Sequence, residues 1–187
     1  MSNDGIIFLN IDGVLNGYTK PIEIISNILR KPRFAKLDKF IRNHYDICGV
    51  RVIKVFYLKL ICYFTNSKVV ISSACWRHEW YKPWDPKDPR IGKLHLWIER
   101  FGIDVIGITE LNESNSKAIE KYCKLYRIQN YVILDDERFR FTEEQMKHVV
   151  FTVDTSRLWK PDDYVGHKYT GMTMKHVLKA IQILSKA

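Results

Sequence analysis

Asn10-Ile11-Asp12-Gly13 ends the apolar run Ile6 to Leu9 with two polar side chains two positions apart and a glycine turn, the pattern of an active-site strand end. Two further apolar runs end in the same manner. Val69-Val70-Ile71 leads into Ser72-Ser73, and Val132-Ile133-Leu134 leads into Asp135-Asp136. Phosphoryl transfer requires a nucleophile, a proton donor for the leaving group, positive charge on the phosphoryl oxygens and a metal to offset negative charge. Asp12 can protonate a leaving alkoxide and then activate water. Asp135 and Asp136 offer adjacent carboxylates to Mg²⁺, which takes few protein carboxylates and keeps several waters. Ser72 supplies a hydroxyl for a phosphoryl oxygen, and Lys117, opening a helical pattern, supplies positive charge. Each residue also has an ordinary role open to it: an Asp-Gly turn, a helix-capping aspartate pair, a serine ending any strand, a solvated lysine. Taken singly, only Asp12 stands well clear of that alternative. In this order and at these strand ends, the set together is hard to reach by chance.

Five apolar runs suit buried parallel strands: Ile6 to Asn10, Lys68 to Ser72, Asp104 to Ile108, Tyr131 to Asp135 and Val149 to Val153. Helical patterns fall between most of them, at Val52 to Phe64, Ile91 to Phe101 with Gly102 as the stop, and Ser116 to Tyr126. A terminal helix runs from Thr173, its N-cap, to about Leu184. This alternation predicts one α/β domain over residues 1–187, a Rossmann-like parallel sheet of about five strands flanked by helices. Ligands of such sheets bind beyond the carboxyl ends of the strands, where all the residues above fall. The connection from the first strand to the second is too long for a crossover. Residues 17–50, with a helical pattern at Ile22 to Leu29 and the turn Arg30-Lys31-Pro32-Arg33, read as a small inserted basic helical cap.

The chain of 187 residues is 46% hydrophobic and 27% charged, the balance of a globular domain rather than a disordered one. Its net charge of +9 is concentrated. From Gly17 to Lys68, eleven Lys and Arg face three acids, Glu23, Asp38 and Asp46, a local excess of eight. Such a segment attracts polyanions, or is simply a solvated face. Met1-Ser2-Asn3-Asp4 has neither the basic nor the apolar region of a secretory leader, and the apolar run Val52 to Phe64 is broken by Lys54 and Lys59, so a cytoplasmic protein without a membrane span is expected. Cys48, Cys62, Cys75 and Cys123 form no CxxC pair and are expected as reduced, mostly buried thiols. The six histidines have no metal-ligand spacing. Asp154 follows the fifth strand within reach of the site but reads rather as a turn or cap residue, and Asp162 and Asp163 read as loop residues.

Asn10-x-Asp12-Gly13, then Ser72, Lys117 and Asp135-Asp136, resembles the motif series of haloacid dehalogenase (HAD) superfamily phosphatases. Ser72-Ser73-Ala74-Cys75-Trp76-Arg77, Gly107-Ile108-Thr109, Leu134-Asp135-Asp136-Glu137 and Thr170-Gly171-Met172-Thr173 narrow the resemblance to the HAD domains of Swiss Army Knife RNA repair proteins. That resemblance implies a phosphatase acting on a phosphorylated nucleic-acid end, with 3′-phosphate favoured, or on a nucleotide. It makes position 10 the nucleophile and Asp12 the general acid/base, with Ser72 and Lys117 completing the catalytic set. Gly13, Ser73 and Arg77 are expected on the substrate side, and Asn10, Asp12, Asp135 and Asp136 around Mg²⁺. Trp76 reads as core packing or a base-stacking aromatic, and Arg77 as the partner of a core carboxylate or of the phosphate.

Asn10 departs from this pattern, which has aspartate there. An amide oxygen can approach Mg²⁺ but is a poor nucleophile, so binding survives while turnover is lost. A deliberate Asp-to-Asn change, a natural pseudoenzyme and an enzyme using water directly all account for it. The first is favoured because Asp12, Ser72, Lys117 and both late aspartates are intact. The competing readings are a phosphatase of small metabolites or free nucleotides, and a nucleic-acid-binding or inhibitory module without catalysis. Oligomeric state is not legible.

Overall fold

The computed structural model describes residues 5–15, 46–47, 50–73, 76–77, 80, 89–137, 140–152 and 171–186. The expected helix at Ile22 to Leu29, nearly all of the 17–50 cap, Cys48, Cys75, Asp154, Asp162 and Asp163 lie outside these residues.

Every apolar run read as a strand forms one. β1 (Ile6–Leu9), β4 (Lys68–Ile71), β5 (Val105–Ile108), β6 (Tyr131–Asp135) and β7 (Val149–Phe151) make a sheet in the order β5-β4-β1-β6-β7, parallel throughout. The chain builds outward from β1 to β4 and β5, then crosses to β6 and β7. Connections therefore leave the β1–β6 pair in opposite directions, and a crevice opens at its carboxyl end. A two-stranded antiparallel hairpin, β2 (Asp46–Ile47) with β3 (Val50–Arg51), precedes the first described helix. It was not legible as strands, being two residues a side, too short for periodicity.

Alternation along the strands sends side chains to two cores. Ile7 and Leu9 of β1, with Val69, Ile71, Val132, Leu134 and Val150, pack under α1 (Val52–Thr65), α2 (Pro89–Arg100) and α5 (Met174–Leu184). Ile6 and Phe8, with Val70, Ile133 and Val149, pack on the other face under Ile119 of α3 (Asn115–Tyr126). Burial on both faces explains why β1 reads as an unbroken apolar run. The helices stop where expected: Asn66 closes α1 in the left-handed conformation at φ 49°, and Gly102, at φ 58°, follows α2. Thr173 caps α5, its backbone N–H donating to His176 Nδ1 at 3.1 Å. The short α4 (Glu143–Met146) went unread because four residues hold no period, although Thr142 and Gln145 form the capping box that announces it.

Cys62 and Cys123 are free thiols, as expected. Burial pushes their pKa values up, to about 12 and about 11, so neither is a ready nucleophile. No described helix is long and apolar enough to cross a membrane.

Candidate active site

Register brings the polar strand ends together. Leu9 sits opposite Ile71 on one side and Leu134 on the other. The ladder continues one step further, with Asn10 N–H donating to the Leu134 carbonyl at 2.9 Å and Ser72 N–H to that of Leu9 at 2.9 Å. Asn10, Ser72 and Asp135 are therefore the next residues along three adjacent strands, all buried.

Asn10 Nδ2 donates to Asp136 Oδ1 at 3.0 Å. Asp135, fully buried, accepts the Glu137 backbone N–H on Oδ1 at 2.8 Å, while its Oδ2 has no hydrogen-bond partner. Burial pushes the Asp135 carboxyl above the usual carboxylate range, against the opposing pull of the Glu137 N–H and of the Asn10 side chain. An amide and two carboxylates thus share one small space. Among the described residues, no three His, Cys, Asp or Glu side chains converge as a metal-ligand set. Two of the four expected ligands are the aspartates of this cluster, a third is the amide of Asn10, and the carboxylate of Asp12 is engaged elsewhere. An orphaned, buried carboxylate oxygen beside an amide and a second carboxylate nevertheless fits a hard cation that brings its own waters.

A frame of backbone contacts fixes the loop after β1. Gly13 takes φ 69°, and a Cβ there would lie 2.1 Å from Asp136 Cγ and Oδ2. Thr152 Oγ1 donates to the Gly13 carbonyl at 2.9 Å, and Thr152 N–H to that of Asp135 at 3.0 Å, so one residue after β7 ties both acidic loops together. Gly171 N–H donates to the Thr152 carbonyl at 3.1 Å and Met172 N–H to that of Val14 at 2.8 Å. The buried Lys54 Nζ donates to the Met172 carbonyl; burial first, and the neighbouring Arg51 charge second, lower its pKa to about 8. Thr152 and Lys54 were missed from the sequence because neither carries a motif signal. Gly13→Ala should combine left-handed strain of about 1–2 kcal/mol with displacement of Asp136. A loss of about 3 kcal/mol, or roughly 6–12 °C in Tm, is expected by thermal denaturation. A change below one degree would show that Gly13 is not the tight fit described.

In the Ser-Ser-x-x-Trp-Arg element Trp76 follows the core-packing reading and adds a hydrogen bond, whereas Arg77 meets neutral acceptors. Trp76 packs against the core, and its Nε1 donates to both oxygens of Asp12, at 3.2 Å each. Arg77, buried, donates from Nη1 to Thr109 Oγ1 at 3.1 Å and to the Glu110 carbonyl. Its Nη2 donates to the Glu113 carbonyl at 3.2 Å and to Asn115 Oδ1 at 3.3 Å. Arg77, read as the partner of a core carboxylate or of the phosphate, clamps the loop between β5 and α3, and Thr109 of the Gly-Ile-Thr motif is one of its anchors. Ser73 is buried, its carbonyl accepting Arg77 N–H at 3.0 Å. Ser72 Oγ is buried without a partner. Lys117 is exposed on the first turn of α3, on the helix that the Arg77 clamp leads into, and its charge helps to lower the Glu113 pKa behind the larger effect of Lys121.

A five-stranded parallel sheet with this switch point, polar side chains at the ends of three adjacent strands and a glycine turn after the first is a Rossmann-like α/β domain of the kind HAD proteins have. The family described as the HAD domain in Swiss Army Knife RNA repair proteins matches residues 6–162, and the chain belongs to it. Neither the curated proteins nor the solved structures include a match.

Proposed function

We propose that this chain is a phosphate-end-binding, turnover-deficient form of a Mg²⁺-dependent phosphomonoesterase, whose active counterpart carries aspartate at position 10 and acts on a phosphorylated nucleic-acid end, 3′-phosphate favoured. The observation that carries the reading is the cluster of Asn10, Asp135 and Asp136, with Asp135 Oδ2 buried and unpaired. Family membership supports the chemistry, and the basic segment from Gly17 to Lys68 supports a polyanionic substrate.

Side chains of Asn10, Asp135 and Asp136 would hold Mg²⁺, which when bound supplies charge neutralisation at the phosphoryl oxygens. Asp12 is left for proton transfer, its carboxylate being engaged by Trp76. Ser72 Oγ, buried and unpaired, offers a donor to a phosphoryl oxygen. In the aspartate form the carboxylate at position 10 attacks phosphorus, the ester P–O bond breaks, and Asp12 passes its proton to the departing oxygen. Water then attacks the phosphorus of the aspartyl phosphate, its proton going to Asp12, while the P–O bond to the position-10 carboxylate breaks and inorganic phosphate is released. With asparagine at position 10 the first bond does not form, and the substrate stays bound.

Phosphate release by Asn10→Asp from 3′- and 5′-phosphorylated oligonucleotides and from 4-nitrophenyl phosphate tests the reading. A preference for one oligonucleotide end, with binding by the Asn10 chain that weakens steeply as salt rises, is the expected result. Activity on nucleotides or the aryl ester without salt-sensitive oligonucleotide binding would make it a small-molecule phosphatase. Silence on every ester with retained oligonucleotide binding would make it a binding module.

A further inference from the structure

We propose that Trp76 is a positioning residue for Asp12, holding its carboxylate where it can exchange a proton with the leaving oxygen; this rests on the phosphatase function proposed for the chain. The contact joins residues 64 positions apart, and the indole N–H points between the two carboxylate oxygens, 3.2 Å from each.

That geometry suits a proton carrier. An indole is a donor only, so it can hold a carboxylate without competing for its proton. Charge-assisted N–H···O bonds are usually about 2.7–2.9 Å, so a shared bond at 3.2 Å is a light restraint. It orients the carboxylate without adding a group that competes for the proton Asp12 carries. The post itself is rigid. Trp76 packs on the core, and the adjacent Arg77 is anchored by four hydrogen bonds, to Thr109, Glu110, Glu113 and Asn115. Trp76 also lies four residues after Ser72, so the hydroxyl offered to a phosphoryl oxygen and the restraint on the acid come from the same stretch of sequence after β4.

In the step concerned, the carboxylate oxygen at position 10 forms a bond to phosphorus while the bond from phosphorus to the ester oxygen breaks. The electron pair of that broken bond stays on the departing oxygen, which takes the proton of Asp12. A poor leaving group needs this proton early; a good one barely needs it. General acid catalysis contributes roughly 10²–10⁴-fold, and part of it should vanish when the acid is unrestrained.

The test compares Asn10→Asp with Asn10→Asp/Trp76→Phe on phenyl phosphate and 4-nitrophenyl phosphate, esters of similar shape and very different leaving groups. kcat/KM should fall by about 30-fold on phenyl phosphate and by no more than about threefold on 4-nitrophenyl phosphate. Equal falls on both esters, or no fall on phenyl phosphate, overturn the role of Trp76. If the phenylalanine variant does not fold, a 3-benzothienylalanine at position 76 removes the N–H and keeps the ring, and the same two outcomes decide. Silence of Asn10→Asp itself on both esters overturns the phosphatase function, and this proposal with it. Activity of that form leaves the difference between the two esters to decide the role of Trp76 alone.

Discussion

Asn10→Asp should raise Mg²⁺-dependent phosphate release from 4-nitrophenyl phosphate by at least about 10⁴-fold, because loss of one member of a catalytic unit costs several orders of magnitude. The same substitution should destabilise the cation-free protein. In the Asn10 chain the amide donates to Asp136 Oδ1 at 3.0 Å and opposes the upward shift of the Asp135 carboxyl, so the cluster is partly self-satisfied. A carboxylate in that place exchanges a donor for an acceptor and sets three acids against one another. One of them must take up a proton, or a cation must enter. Thermal unfolding of the aspartate form should therefore respond to Mg²⁺ more strongly than that of the Asn10 chain. Equal responses, with no gain in phosphate release, would mean that position 10 is neither nucleophile nor ligand.

The strand ends that make this cluster were legible because each signal was local. Three or four apolar residues ran into a polar pair, and parallel pairing then brought the pairs into register. Asn10, Ser72 and Asp135 emerge as neighbours for that reason. Trp76 and Arg77 were legible as an unusual pair but not in their roles, because their partners are distant in sequence: Asp12 on one side, residues 109–115 on the other. An arginine beside a presumed phosphate site is easily read as a phosphate ligand. Here its two terminal nitrogens are taken by a hydroxyl, two carbonyls and an amide oxygen, neutral acceptors that hydropathy cannot reveal. Thr152 was hidden for a related reason. It follows a short strand, and its value lies in donating at once to Gly13 and Asp135, a relation that only the fold creates.

Asp135→Asn in the Asn10 chain should stabilise the cation-free protein and abolish its response to Mg²⁺. The carboxyl is fully buried, with Oδ2 unpaired and its pKa pushed up by burial. For an acid whose folded-state pKa lies above its unfolded value, ionisation opposes folding. The unfolded chain gives up its proton first, so stability is lost as pH rises from the unfolded pKa through the raised folded one. Above that window the ionised carboxylate is a standing penalty, which an amide of the same shape removes while keeping an oxygen for the Glu137 N–H. Relief of the uncompensated buried charge is on the order of 1–3 kcal/mol, which predicts a Tm higher by roughly 2–12 °C in a chelating buffer. Millimolar Mg²⁺ should then raise the Tm of the Asn10 chain and leave that of the double amide unchanged, since a ligand stabilises only the state that binds it. A variant that is less stable than its parent in chelator, or still stabilised by Mg²⁺, would show that Asp135 serves the packing of β6 rather than a cation. Destabilisation tolerated at a strand end, in a position where an amide would fold better, is what a binding site costs the fold that carries it.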